Sequence, residues 1–129
     1  MADLVLDAGA VSYLSTPSRL VVAMLLELRE DGLWPPAVPS VVLVECLQGG
    51  HPGRDANTNR LLRTCDVIEE LPQSLARRAA LLRAQARRGS AVDALVVALA
   101  EPGGLVLTSD PVDLGALAAR AIDVSVRRV

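Results

Sequence analysis

The chain has 129 residues and a formal net charge of −2, and 51% of its residues are hydrophobic. This length predicts one domain, residues 1–129, with a buried core. Because Phe is absent and Tyr13 and Trp34 are the only aromatic residues, that core must consist of Val, Leu and Ala. All 13 basic residues are arginines, which excludes mechanisms that need a lysine amine. The net charge gives no overall electrostatic case for nucleic-acid binding, so a basic footprint must be local.

Two cysteines, Cys46 and Cys65, are too few for a disulfide scaffold. No charged segment precedes an apolar run at the amino terminus, and no apolar run approaches the length of a membrane span. We therefore expect a reduced, cytoplasmic location and no membrane partner. The high apolar content also predicts a protein partner or a homodimer.

Short apolar runs alternate with amphipathic segments along the chain, and turn residues separate them. The predicted strands are 4–6, a short strand around 37–38, 66–68, 105–108 and 122–126. The predicted helices are 9–14, 19–30, 40–47 with Ser40 as N-cap, 55–64, 72–88, 90–100 and 111–119, and 51–53 is predicted to be a loop. This alternation predicts an α/β fold, with a central, mostly parallel sheet covered on both faces.

Asp7 ends the first apolar run, Leu4–Leu6, which is typical of a strand buried on both faces. Ligand-binding and catalytic groups collect at the carboxyl ends of such strands. An aspartate followed by small residues is also a common helix N-cap. Position alone leaves both roles open for Asp7.

Glu45 is the one carboxylate in the apolar segment 41–47. We expect this helix to be buried together with Glu45, although a narrow exposed stripe is the alternative. A lone buried carboxylate is costly unless it is partnered or becomes protonated.

Two further carboxylates begin predicted helices. Asp93 follows Ser90 at capping-box spacing but has apolar neighbours, and Asp110 precedes Pro111 as an ordinary N-cap would. The apolar strand 105–108 nevertheless delivers Asp110 at its carboxyl end, as the first strand delivers Asp7. A capping role and a catalytic role are compatible.

Strand ends and helices of one parallel sheet can converge on one edge, so we expect these four carboxylates to meet. Carboxylates held together repel each other unless a positive charge lies between them, either an Arg side chain or a divalent cation. Oxygen ligands without His or Cys suit hard cations such as Mg²⁺ or Mn²⁺. Such a cation can activate water and support an in-line displacement at phosphorus. The four carboxylates therefore predict metal-dependent phosphodiester chemistry.

The ordered set of acidic motifs resembles the PIN-domain ribonucleases, and most of all the VapC-type toxins of bacterial toxin–antitoxin pairs. The motifs are Leu-Val-Leu-Asp7, Val44-Glu45, Val92-Asp93-Ala94 and Leu107-Thr108-Ser109-Asp110-Pro111-Val112-Asp113-Leu114. The resemblance covers the whole chain and implies a three-layer α/β/α PIN-like fold. It also implies RNA cleavage with Mg²⁺ or Mn²⁺, a cognate antitoxin that covers the pocket, and dimers.

By position, the resemblance implies that Asp7, Glu45, Asp93 and Asp110 are the metal-binding and catalytic acids. Asp113 matches a further acid of less certain role and is a candidate additional metal ligand, and Thr108 matches a supporting hydroxyl. Many members carry Ser or Thr directly after the first Asp, whereas this chain has Ala8. The change removes a possible hydrogen bond next to the metal ligands, which can weaken metal binding.

An arginine-rich surface is predicted on the helices 55–64 and 72–88. Its arginines are Arg54, Arg60, Arg63, Arg77, Arg78, Arg83, Arg87 and Arg88. They predict contacts to RNA phosphates, a solvated face, or pairing with an acidic antitoxin segment. His51 is expected to be exposed, Cys46 to lie in the core, and Trp34 to be a packing anchor.

Three other classes of protein gather polar groups at strand ends. Phosphoacceptor receiver domains use a lysine near the phosphoryl group, and this chain has no lysine. Dinucleotide-binding folds need a G-x-G-x-x-G sequence after the first strand, which Asp7-Ala8-Gly9-Ala10 does not supply. A non-catalytic PIN-like module that binds RNA or a partner remains the alternative to the enzyme. Metal binding without cleavage would identify that module.

Overall fold

The computed structural model describes residues 2–51 and 53–129, and within them it contains a five-stranded, all-parallel sheet. The strands are β1 (Leu4–Leu6), β2 (Ala37–Pro39), β3 (Asp66–Ile68), β4 (Leu105–Thr108) and β5 (Ser125–Arg128). Their order across the sheet is β3-β2-β1-β4-β5. The first strand therefore lies at the centre, and β3 and β5 form the edges.

Seven α-helices connect the strands in the described part of the chain. They are α1 (Ala8–Leu14), α2 (Arg19–Glu30), α3 (Leu43–Cys46), α4 (Ala56–Leu62), α5 (Gln73–Ala86), α6 (Ala91–Ala100) and α7 (Pro111–Ala118). Helix α1 contacts β1, β4, α2, α3 and α4, whereas α6 contacts β1, β2, β4, α5 and α7. Two helical layers thus cover the sheet, which confirms the predicted three-layer α/β/α fold.

Aliphatic side chains fill the space between the layers, as the lack of Phe requires. The central strand β1 is buried along its whole length, and Val96 and Val97 of α6 are buried as well. Parallel strands covered on both faces are continuous apolar runs of this kind. The core therefore fixes β1 in the middle, with Asp7 directly at its carboxyl end.

Polar residues at three helix starts form the hydrogen bonds expected of N-caps. Ser18 accepts from the Val21 N–H at 3.1 Å, and Ser90 and Asp93 form a complete capping box. Asp110 caps α7 with Pro111 in the first turn, and Gly32 ends the α2 segment at a φ of +73°. These ends follow from local backbone chemistry, because a helix leaves its first N–H groups without partners.

The predicted helix 40–47 is wrong in form. Ser40–Val42 is a 3-10 turn that follows Pro39, and only Leu43–Cys46 is α-helical. Ser40 makes no side-chain capping hydrogen bond. A single helical turn can direct only one side inward, so Val42 is buried while Val44 is 80% exposed.

The last strand begins three residues later than predicted, at Ser125. The segment before it forms a turn, in which the Ile122 N–H donates to Glu101 and Asp123 adopts a φ of +55°. Of the predicted loop 51–53, His51 is exposed as expected, whereas Pro52 lies outside the described residues.

Within the described ranges, no single helix has the length and apolar character needed to cross a membrane. Helices α1 and α2 meet those criteria only when taken together, and they are bent by 113° at their junction.

Candidate active site

Asp7 lies at the carboxyl end of the central strand and serves as the N-cap of α1. Its Oδ1 accepts a hydrogen bond from the Ala10 N–H at 2.8 Å, and its own N–H donates to the Leu107 carbonyl of β4 at 3.3 Å. The residue is only 8% exposed. Both roles that the sequence left open are compatible with this position, since the carboxylate caps the helix through Oδ1 and also lies at the carboxyl edge of the sheet.

The pKa of Asp7 is raised above its ordinary value. Burial is the main cause, and the negative charges of Asp93 and Asp110 raise this pKa further. Hydrogen bonds from the Thr108 hydroxyl and the Ala10 N–H act in the opposite direction. Asp93 and Asp110 therefore lie close enough to Asp7 to repel its charge, so the structure brings three of the four predicted acids together.

Asp93 reaches this edge from the first turn of α6. Its Oδ2 accepts from the Ser90 N–H at 3.0 Å, and the Ser90 hydroxyl accepts from the Asp93 N–H at 3.0 Å. This reciprocal pair fixes the side chain at a helix N-terminus, where a negative charge is stabilised by the helix dipole.

Asp110 follows β4 and caps α7, with Oδ1 at 3.4 Å from the Val112 nitrogen. Thr108 orders the turn that carries it: the buried hydroxyl accepts from the Asp110 N–H at 2.9 Å, and its oxygen lies 3.2 Å from the Asp110 carbonyl oxygen. Thr108 thus orders the turn that leads from β4 to Asp110.

Gly9 allows these two turns to approach each other. A Cβ atom on residue 9 would overlap the Ser109 hydroxyl and lie 3.0 Å from the Ser109 Cβ. A side chain at this position would therefore separate the turn that follows Asp7 from the turn that precedes Asp110. No sequence pattern predicts this contact, because the two residues are 100 positions apart.

Asp113 lies one helical turn after Asp110 and forms an ion pair with an arginine from another element. The Arg88 Nε donates to the Asp113 Oδ1 at 2.7 Å. Asp113 is half-buried, and Arg88 is exposed. The acid of uncertain role is thus engaged by a guanidinium in this conformation.

The expectation that Glu45 is a buried carboxylate is wrong. This residue lies on the short helix α3 beyond the end of β2, where its side chain is exposed. Its charge is not among those that raise the pKa of Asp7. Glu45 therefore lies beyond the same edge of the sheet but apart from the three acids that interact there.

The acids of this edge offer oxygen atoms only, which is the donor chemistry that Mg²⁺ and Mn²⁺ prefer. A cation would also relieve the repulsion that Asp93 and Asp110 exert on Asp7. As the side chains stand, however, no three His, Cys, Asp or Glu side chains in the described ranges 2–51 and 53–129 are close enough to hold one metal ion. The donor set fits a hard cation by its chemistry and charge.

Two acids outside the predicted set have structural roles. Asp55 is buried, and its carboxylate accepts from the Gln48 and Gly49 N–H groups at 3.0 and 2.8 Å, which hold its pKa below the ordinary value. Glu101 accepts two hydrogen bonds from Arg78 and one from Ile122, each at 2.7 Å. In the sequence, Asp55 is distinguished only as the first residue of a predicted helix.

The arginine-rich surface is only partly free. Arg78 is bound by Glu101, and the Arg83 Nε donates to the Gly89 carbonyl at 3.2 Å. Both side chains tie α5 to neighbouring segments, so their role is at least partly structural. Of the five arginines predicted on helix 72–88, Arg83 is exposed as predicted, whereas the Arg78 side chain is only 31% exposed and is bound by Glu101.

No protein-family model matches the chain, and no curated protein is detectably similar to it. Several solved structures share its fold. FitAB bound to an IR36 DNA fragment has a TM-score of 0.65 and 19% identity, over 97% of this chain and 94% of that chain. FitAcB from Neisseria gonorrhoeae has a TM-score of 0.59 and 21% identity, over 95% of both chains. PAE2754 from Pyrobaculum aerophilum has a TM-score of 0.59 and 18% identity, over 97% of this chain and 89% of that chain. These likenesses confirm the PIN-like fold that the sequence resemblance predicted.

Proposed function

We propose that the chain is a metal-dependent endoribonuclease of the cytoplasm and the toxin of a toxin–antitoxin pair. The observation that carries the proposal is the position of three carboxylates at one edge of the sheet. Asp7 is buried there, and the charges of Asp93 and Asp110 raise its pKa. Such a concentration of unfavourable charge is typical of functional sites rather than of folding cores.

The proposed reaction is hydrolysis of an RNA phosphodiester. A water oxygen forms a bond to phosphorus, one P–O ester bond breaks, and the water proton replaces the phosphorus on the leaving oxygen. A bound Mg²⁺ or Mn²⁺ supplies charge neutralisation at phosphorus and a lowered pKa for water. Asp7, Asp93 and Asp110 would hold this cation, with Glu45 as a further acid.

The other contacts of these carboxylates keep them in place for that task. The Ala10 N–H orients Asp7, the capping box orients Asp93, and Thr108 orders the turn that carries Asp110. Each of the three carboxylates accepts a hydrogen bond from a backbone N–H through one of its oxygens. Orientation by surrounding hydrogen bonds is a general feature of metal-binding carboxylates.

The likeness to FitAB and FitAcB, together with the resemblance to VapC-type toxins, supports the toxin role and a cognate antitoxin as partner. We extend the same resemblance to a homodimer. Leu20, Val22 and Leu26 are exposed on α2, which favours a protein partner of some kind. Light scattering of the purified chain, alone and with its antitoxin, tests both assemblies.

Cleavage of single-stranded RNA by the purified chain tests the enzyme. The reaction is run with Mg²⁺ or Mn²⁺ and with EDTA, beside an Asp93→Asn variant prepared in the same way. Asn keeps an oxygen for the Ser90 N–H, so the capping box survives while the charge is lost. Asp31→Asn, an exposed change at the end of α2, is the matched control. We expect metal-dependent cutting by the wild type and the control, but not by Asp93→Asn.

A non-catalytic PIN-like module is the second candidate. Two observations favour it: Glu45 is exposed, and the acids of the described residues do not close around one point. Metal binding by the wild type without cleavage of any RNA would establish this function instead. In that case Ala8→Ser would be the first change to test for restored activity.

A further inference from the structure

Arg88 lies in the connection between α5 and α6, and Asp113 holds it beside the acidic edge. Its Nε donates to the Asp113 Oδ1 at 2.7 Å, although the two residues are 25 positions apart. Asp113 lies in the first turn of α7, three residues after Asp110, and Asp93 lies in the first turn of α6, five residues after Arg88. The ion pair with Asp113 therefore places the guanidinium at the N-terminal end of α7, one turn from Asp110.

The connection itself is tightly constrained. Arg87 and Gly89 both have left-handed backbone conformations, with φ of +55° and +89°. A Cβ on Gly89 would lie 2.6 Å from the Leu117 Cδ1 and 3.6 Å from the Asp93 Cβ. The Arg83 Nε also binds the Gly89 carbonyl. The backbone on either side of Arg88 is thus packed between α5, α6 and α7, which limits where its side chain can point.

Arg88 differs from Arg78 in how much of its guanidinium remains unused, whereas Arg83, like Arg88, is bound through Nε alone. Both Nε and Nη2 of Arg78 are taken by Glu101. Arg88 uses Nε, and among residues 2–51 and 53–129 its two Nη groups make no hydrogen bond. Its side chain is 58% exposed. Two guanidinium nitrogens are therefore open to an anion from solvent.

We infer that Arg88 contacts a phosphate of the RNA strand bound at the acidic edge, and that Asp113 is a positioning residue that orients Arg88. This inference rests on the proposed ribonuclease function. A phosphodiester is repelled by a cluster of carboxylates, so a guanidinium at its border favours binding. Arg binds phosphate oxygens through paired N–H groups, and a fixed Nε leaves the Nη groups oriented for that contact. Asp113 then serves Arg88 rather than a cation.

A surface ion pair can be purely structural, or it can position a group that contacts phosphate. A purely structural pair would affect only thermal stability. A phosphate contact changes the affinity for RNA and its dependence on salt, because each neutralised phosphate releases counterions. Both quantities can be measured without divalent cations, and so without any cleavage.

The experiment measures binding of a fluorescein-labelled single-stranded oligoribonucleotide in EDTA, by anisotropy, for wild type, Arg88→Ala, Arg88→Lys and Asp113→Asn. Arg120→Ala is the control, because it removes an exposed arginine just beyond the opposite end of α7. We expect Arg88→Ala to weaken binding roughly 10-fold or more, as for a charge-assisted hydrogen bond. We also expect it to lower the salt slope by about 1.

The other variants separate the roles of charge and orientation. Arg88→Lys should recover part of the affinity, since Lys keeps the charge but not the paired donors. Asp113→Asn should weaken binding less than Arg88→Ala and should keep the thermal stabilisation by Mn²⁺. If Arg88→Ala binds RNA as Arg120→Ala does, the phosphate contact is disproved. If Asp113→Asn loses the Mn²⁺ stabilisation as Asp93→Asn does, Asp113 is a metal ligand and its positioning role is disproved.

Cleavage assays with Mn²⁺ on the same variants keep this inference apart from the proposed function. With cleavage, we expect Arg88→Ala to raise KM more than it lowers kcat. If the wild type cleaves RNA and Arg88→Ala has the same RNA affinity and kinetics as the wild type, only the inference about Arg88 is overturned. Wild-type binding that depends on Arg88, without any cleavage, would overturn the nuclease and support the inference. A wild type that neither binds nor cleaves RNA would overturn both.

Discussion

The hydroxyl of Ser109 occupies the space into which a side chain on residue 9 would project. Gly9 lies in the first turn of α1, directly after Asp7 and Ala8, and Ser109 lies between Thr108 and Asp110. The two acidic turns can therefore approach only because residue 9 has no side chain. This contact connects the geometry of the proposed active site to the stability of the fold.

Gly9→Ala is expected to lower stability by about 1–3 kcal/mol, as overpacking of a tight contact does. It should also impair metal binding, because Ser109 or α1 must move. The matched control is Gly115→Ala in α7, where no atom lies within 4 Å of the added Cβ. That change should raise stability by roughly 0.5–1 kcal/mol, since Ala is favoured over Gly within helices. Thermal unfolding of both variants measures the difference in stability between them. Equal stabilisation by both changes would show that Ser109 can move away from residue 9 without cost.

Asp7→Asn is expected to abolish cleavage and to make the protein more stable at neutral pH. The pKa of Asp7 is raised by burial from an ordinary value of 3.8, so ionisation costs more in the folded than in the unfolded chain. Stability therefore falls as the pH rises from 3.8 to the folded pKa, and the deficit persists at higher pH. Asn accepts the Ala10 hydrogen bond without that penalty.

Asp7→Asn should raise the free energy of unfolding by roughly 0.5–2 kcal/mol, the range typical of changes that trade activity for stability. Urea unfolding in EDTA at neutral pH provides the measurement. A variant that is less stable than the wild type, with cleavage retained, would remove Asp7 from the site.

Mn²⁺ or Mg²⁺ is expected to raise the melting temperature of the wild type. A ligand that binds only the folded state adds about 2.7 kcal/mol at a concentration 100 times its Kd. Asp7→Asn and Asp93→Asn should lose most of this increase, and the exposed control Asp31→Asn should keep it. Differential scanning fluorimetry with and without EDTA measures the effect. An unchanged wild-type melting temperature at millimolar cation would argue against a metal site at this edge.

Glu101→Gln is expected to destabilise the protein at neutral pH by about 1–3 kcal/mol, as for a buried charge-assisted group. The Glu101 side chain is only 9% exposed, and Arg78 is the main cause that lowers its pKa below the ordinary 4.5. A lowered folded pKa contributes stability above the unfolded value and loses it as the pH falls through the folded one. The difference between wild type and variant should therefore shrink below pH 4.5. Chemical unfolding at pH values above and below 4.5 measures this difference in the free energy of unfolding, with the exposed Glu30→Gln as control. A difference that does not change with pH would exclude the carboxylate charge as its source.

Local chemistry made much of the fold predictable. The capping box of Ser90 and Asp93, the N-cap of Asp110 and the buried run of β1 are each defined by residues within one or two turns of each other. The acids at the ends of β1 and β4 were found in the same way, because parallel strands place their carboxyl ends at one edge. The prediction was wrong for the segment around Glu45, because its apolar neighbours indicated burial that a one-turn helix cannot provide.

The sequence by itself determined the alternation of strands and helices, the aliphatic core and the order of the acidic motifs, because backbone hydrogen bonding and burial act over a few residues. Only the tertiary structure decided the strand order, the exposure of Glu45, the approach of Ser109 to Gly9 and the pairing of Arg88 with Asp113. These features join residues that lie far apart in the chain. They depend on how the helical layers pack on the sheet, and that packing is not encoded in any single stretch of sequence.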